Sequence, residues 1–231
     1  MDDNGTLLQN IPLPLDPAAV MRHLGKSGGK SSELVRASVE RWRAAARELL
    51  APRAVYRPFA VEGIADGIVA LAGGQRFSGA RLGTLFAGAE QLVVTVGTIG
   101  RALEEEVSRL FAAAEFMDAV VLDAIGSVAV EEVCQYVRSL LCRRYGDEAG
   151  LRVGPSLSPG YQYWDLRDQR VIFALVPAEA IGVSLTDSCL MVPQKSESTV
   201  TPVGRNLRVT AGEDEPPCRF CDRHDCPARV A

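Results

Sequence analysis

The sequence predicts an α+β domain, and three stretches carry that reading. Gln91-Leu92-Val93-Val94-Thr95-Val96 is β-branched and too apolar for an exposed strand, so it is a buried one. Val55 to Val61 and Gly67 to Ala72 read as shorter strands, the second running into a Gly73-Gly74 turn. From Phe116 to Tyr145 the residues Val120, Ala124, Val128, Val133, Val137 and Leu141 advance by about one helical turn at a time, which is a long helix. With 231 residues, 47% hydrophobic and 23% charged, the chain can close one large domain or two small ones around a core.

Residues 1–15 are polar and carry Pro12 and Pro14, so they read as a lead-in, and residues 16–212 as the α+β domain with a helical N-terminal part. Ala18 to Leu24 forms one short helical face after Asp16, and Gly25 to Gly29 breaks it. Ser31 or Ser32 can cap a second helix in which Leu34, Val35, Val39, Trp42, Ala46 and Leu49 recur at helical spacing, ended by Pro52. A helix is expected from Ser78 to Ala87, ahead of the buried strand. Gly97-Thr98-Ile99-Gly100 then turns from strand to helix. Glu104, Glu105 and Glu106 load the next helix start, where acids suit the positive dipole end but would repel a phosphate.

Gly126-Ser127 interrupts the long helix with small residues, a sign of close packing, and Gly146 closes it. Leu151 to Leu157 reads as extended. Asp165 can cap a helix carrying Leu166, Ile172, Phe173 and Val176, although Val171 to Val176 also fits a strand. Short strands and turns follow Met191. Residues 213–231 form an acidic and proline-bearing linker, Glu213-Asp214-Glu215-Pro216-Pro217, and a cysteine-rich tail.

The net charge of -4 and the scatter of basic residues among acids argue against nucleic acid as a partner, since phosphate binding needs a dense basic face. No apolar run approaches the roughly 20 residues that cross a bilayer, and the start lacks a secretory pattern, so the expected compartment is the cytoplasm, without a membrane partner. Of the six cysteines, Cys134, Cys142 and Cys189 read as small buried hydrophobes. The other three lie together in Cys218-Arg219-Phe220-Cys221-Asp222-Arg223-His224-Asp225-Cys226. Cys218, Cys221, His224 and Cys226 supply the sulfur and nitrogen donors of a tetrahedral zinc site. Three cysteines could instead hold an iron–sulfur cluster with an outside fourth ligand, and a terminus without metal is the third alternative.

Two separated motifs carry a resemblance. Ser158-Pro159-Gly160-Tyr161 sets an aromatic side chain on a tight turn, and Ile181-Gly182-Val183-Ser184-Leu185-Thr186-Asp187-Ser188 follows it, with Met191-Val192-Pro193 beyond. Together with Met21-Arg22-His23-Leu24-Gly25, Tyr56-Arg57-Pro58-Phe59, Thr98-Ile99-Gly100, Leu122-Asp123-Ala124-Ile125-Gly126-Ser127 and Val130-Glu131, they make residues 16 to 210 resemble the activation, or reactivation, domain of cobalamin-dependent methionine synthase in stand-alone form.

That resemblance implies a twisted antiparallel sheet flanked by helices. It implies an accessory protein for reductive reactivation of a corrinoid (vitamin B12) protein, a methionine synthase or related methyltransferase, with S-adenosylmethionine as methyl donor. The cobalamin would be carried by the partner, and a flavodoxin- or ferredoxin-like protein would give the electron. Tyr161 would approach both ligand and corrin, and Pro159 and Gly160 would present it. The family's arginine for the ligand carboxylate falls at Ser156, with Arg152 four residues earlier as a replacement, and the family's aromatic pair falls at Thr201-Pro202. Thr186 and Asp187 complete the expected S-adenosylmethionine groove. These departures set out two alternatives: a non-catalytic module that binds a corrinoid protein, or a metal or redox protein acting through the C-terminal cysteines.

Overall fold

The computed structural model describes residues 5–25, 33–161 and 164–208. The chain opens with β1 (Thr6–Gln9), α1 (Pro17–His23) and α2 (Glu33–Ala46), followed by β2 (Arg53–Ala65), β3 (Ile68–Leu71) and β4 (Arg76–Ser78). The one-turn α3 (Leu82–Leu85), β5 (Gln91–Thr98), α4 (Ala102–Ala112) and the long α5 (Phe116–Leu141) come next. After α5 comes a π-helical end over Cys142–Asp147, then β6 (Arg152–Val153), α6 (Gln169–Leu175), β7 (Ser184–Leu185), β8 (Met191–Val192) and β9 (Ser196–Gly204).

The main sheet runs β4-β3-β2-β5-β9-β6, every pair antiparallel, with β1 added along the first residues of β2. β5 lies between β2 and β9 and is covered on both faces, which is why Gln91–Thr98 needs apolar residues on each. One face meets α5. Tyr56, Val93 and Val203 point there, into a cluster built on Leu122, Ile125, Val133 and Val137. Val55, Val94, Val96 and Val200 point the other way, against Phe77, Phe86, Trp164 and Ile172.

Close approach of α5 to the sheet depends on Gly97. A Cβ there would lie 2.7 Å from Val133 Cγ1, so only glycine fits without moving the helix. At Gly126 a Cβ would meet Leu103 Cδ2 at 2.7 Å, which accounts for the small residues inside α5 as packing against α4.

The expected elements hold in kind, with instructive differences. The lead-in is structured: β1 pairs Thr6 to Gln9 with Tyr56 to Arg53, and Ile11, Leu13 and Leu15 are buried. β2 continues to Ala65 because a bulge at Val61/Gly63 absorbs the glycine that breaks its apolar pattern. The helix expected from Ser78 to Ala87 shrinks to the single turn of α3, since Ser78 ends β4 and Gly79 turns the chain. Asp165 does cap, accepting the Arg167 N–H at 2.8 Å, and the segment goes on as helix α6 rather than strand. Cys189 is buried, while Cys134 and Cys142 are only partly so. The Ser31 and Ser32 caps and the whole cysteine tail lie outside the described residues.

Candidate functional site

β9 is the rail on which the expected site is laid out. Arg152 and Val153 pair with Gly204 and Val203, and the Gly154 N–H donates to the Pro202 carbonyl at 2.8 Å. Pro155 has no N–H, so the regular ladder lapses and resumes only where Leu157 and Val200 exchange bonds of 3.0 and 2.7 Å. Between them Ser156 Oγ lies 2.7 Å from Thr201 Oγ1, and Ser158 Oγ donates to the Ser198 carbonyl at 2.7 Å. The extended segment expected from Leu151 to Leu157 is therefore an interrupted edge strand.

The turn that follows is tightly determined. Gly160 has φ +101°, which favours glycine, and its N–H donates to the Trp164 carbonyl while the Trp164 N–H returns to Tyr161. Trp164 is 2% exposed and meets Phe77 and Phe86 edge-on, with ring centroids 5.3 and 5.8 Å away. Its indole anchors the turn in the core. Tyr161 is half-buried against the same cluster.

The other expected residues divide. Arg152 is exposed on the edge strand. Thr186 and Asp187 stand on the β7–β8 hairpin, where Thr186 Oγ1 accepts from Leu190 N at 3.0 Å and the Asp187 carbonyl accepts from Arg170 Nη2 at 2.8 Å. That is turn satisfaction. The Ser156 hydroxyl is committed to Thr201.

Ionisable groups that the motifs did not flag lie between α5 and β9. Arg138, 8% exposed, donates from Nη1 to the Gly154 carbonyl at 2.7 Å, two residues from Ser156. By strand alternation Glu197, Thr199 and Thr201 share the face of Val203, toward α5. Thr95, opposite Thr199, keeps a buried Oγ1 with no hydrogen-bond partner among the described residues. Glu197 has its pKa raised to about 7, first by loss of water around it and then by the Glu131 charge, against a hydrogen bond from the Cys134 thiol. Burial pushes that thiol well up, so it is a weak nucleophile. A charged residue inside the apolar stripe of a helix, and an acid within Ser196-Glu197-Ser198-Thr199-Val200, are the sequence signals for Arg138 and Glu197.

The family-like pieces His23, Thr98, Asp123, Ser127 and Glu131 converge beside this face. Lys195 Nζ reaches Asp123 Oδ1 at 2.8 Å and Ser127 Oγ at 2.9 Å, and His23 Nε2 meets Glu131 at 3.2 Å, which raises the histidine pKa. Ser196 Oγ donates to Thr98 Oγ1 at 2.9 Å. These contacts tie the start of β9 to α5 and β5, and α1 to α5.

Among the described residues no helix is long and apolar enough to cross a membrane, and no group of three or more His, Cys, Asp or Glu could hold a metal. Cys218, Cys221, His224 and Cys226 lie outside those residues.

The architecture is an antiparallel sheet with a long helix on one face and the Tyr161 turn on the other side of its edge: the reactivation-domain fold. It matches a crystal structure of the MetH reactivation domain bound to AdoHcy with a TM-score of 0.66 over 90% of this chain and 81% of that one, at 13% identity. At that identity the likeness establishes the fold. Comparison with protein-family models finds no match, and neither does comparison with curated proteins.

Proposed function

We propose that this protein assists the reductive reactivation of a corrinoid protein, a cobalamin-dependent methionine synthase or a related methyltransferase, with S-adenosylmethionine as the methyl donor. The observation that carries the reading is the Pro159-Gly160-Tyr161 turn, fixed by Trp164 at the end of a segment bonded along β9, in a fold shared with a reactivation domain bound to AdoHcy. Transfer of the sulfonium methyl makes reduction of the partner's cobalt irreversible. This chain then works by positioning, since the hard chemistry belongs to the corrin and the sulfonium.

The zwitterionic end of such a ligand calls for a cation and a carboxylate. Within the proposal Arg138, on the α5 side of β9, is better placed for the carboxylate than Arg152, because it is buried and donates to the Gly154 carbonyl two residues from Ser156, and Glu197 faces the same layer further along β9. Tyr161 remains the residue we assign to the contact with ligand and corrin. The electron comes from a separate flavodoxin- or ferredoxin-like donor.

Calorimetry with S-adenosylmethionine and S-adenosylhomocysteine tests the reading. Binding that weakens at least tenfold in Tyr161→Ala and in Arg138→Gln supports it, and absence of binding to the wild-type chain rejects the methyl-donor role. The committed Ser156–Thr201 contact favours a second reading, in which the fold docks on a corrinoid protein without that ligand. A corrinoid protein that co-elutes with the chain in the absence of S-adenosylmethionine supports that reading.

A further inference from the structure

An open groove of about 650 Å³ lies on the far side of the α5 layer from the Tyr161 turn, between the lead-in, the end of α2 and the outer face of α5. Its volume is in the range of small-molecule sites. Pro12, Pro14 and Tyr136 give it an apolar wall.

The polar groups of the groove are unbalanced in their commitments. Glu132 spends Oε2 on the Leu15 N–H at 2.9 Å and Oε1 on the Asp16 N–H at 3.2 Å. Asp16 in turn spends both oxygens on Ala18 and Ala19, at 2.9 and 3.2 Å, as the cap of α1. Both acids keep their charge, which is met by the backbone N–H groups at the start of α1, and Arg47 is the one cation of the lining among the described residues. Arg47, Gln135 and Ser139 also line the groove, and the side chains of these three donors make no hydrogen bond or ion pair among the described residues. What remains on offer is a guanidinium fork, an amide and a hydroxyl above an apolar floor.

We infer that this groove is a second ligand site, for a small molecule with an apolar or aromatic body and one oxyanion, carboxylate or phosphate. The oxyanion pairs with Arg47, the fork best suited to two-pronged recognition of either group. Gln135 and Ser139 donate to its remaining oxygens, and the body lies on Pro12 and Tyr136.

The inference is independent of the proposed function, because none of these residues belongs to the β9 strip. It is tested by titrating the whole chain, followed by nuclear magnetic resonance, with indole-3-acetate and benzyl phosphate, each against its uncharged counterpart, indole-3-acetamide and benzyl alcohol. The expected result is saturable binding of at least one anion, stronger than that of its neutral counterpart, with shifts confined to α2, α5 and the lead-in. Arg47→Glu should weaken it at least tenfold, in line with loss of a charge-assisted bond. Arg47 is exposed, so that variant keeps the fold, and Gln135→Ala with Ser139→Ala gives a second test. Binding unchanged in Arg47→Glu, binding lost in Tyr161→Ala, or no saturation by either anion overturns the assignment.

Discussion

Trp164 donates its indole N–H to Asp168 Oδ2 at 2.8 Å, and the same oxygen accepts the Ser78 N–H at 2.9 Å. One carboxylate thereby ties the end of β4 to the residue that closes the Tyr161 turn. Because the Trp164 backbone bonds both Gly160 and Tyr161, the core under the sheet and the candidate site are a single mechanical unit.

Trp164→Ala should therefore lower stability by about 3–5 kcal/mol, the usual cost of removing a buried aromatic. Trp164→Phe keeps most of the burial but leaves Asp168 without its indole donor, and should cost about 1–3 kcal/mol. Urea denaturation measures both. In each variant the Tyr161 turn should lose amide protection before the sheet does.

Gly97→Ala should destabilise by about 1–3 kcal/mol, because the added methyl meets Val133 Cγ1 inside contact distance and α5 must lift from β5. Val133→Ala in the same chain should return part of that loss. A double-mutant cycle from denaturation midpoints checks the coupling.

Much of this architecture is readable from the chain. β5 and α5 follow from residues that must be buried, and the turn at Tyr161 from a Pro-Gly pair. The elements that escape sequence reading are those whose partners are distant. β1 is four residues with no apolar alternation, and it exists only because β2 presents an open edge. α3 loses its expected length to Gly79 and Ser78, which β3 recruits as a neighbour. The site shows the same limit. Ser156 stands where the resemblance requires a cation, and the buried cation nearby comes from α5, through a fold contact that spacing along the chain does not reveal.

Stability should depend on the protonation of Glu197. Its folded pKa, about 7, lies above the ordinary value of 4.5, so the folded state holds the proton more tightly and the protonated acid is the stabilising form. That contribution is present below about pH 4.5 and fades as pH rises to 7. His23, raised by Glu131, also loses its contribution as pH rises, but only beyond its ordinary value of 6.5. Glu131, Cys134, Lys195 and Arg22 are the other charged or titratable groups that act on this pair. Thermal denaturation between pH 4.5 and 7 should show a falling midpoint in the wild type and a flatter profile in Glu197→Gln; equal slopes would contradict the assignment.

Protein purified without oxygen should carry zinc or iron near one equivalent if Cys218, Cys221, His224 and Cys226 act as ligands, and Cys221→Ser should lose most of it. Metal analysis of both proteins decides this. Metal-free wild-type protein would rule out that metal site.

Visible absorption of the corrin reads reactivation itself. A cobalamin-dependent methionine synthase core lacking its own reactivation domain is held in the Co(II) state with reduced flavodoxin and S-adenosylmethionine, and this protein is added. The Co(II) spectrum should convert to that of methylcobalamin, at a rate cut at least tenfold by Tyr161→Ala. A Co(II) spectrum that persists unchanged, with the core shown to be bound to this chain, would contradict the proposed function.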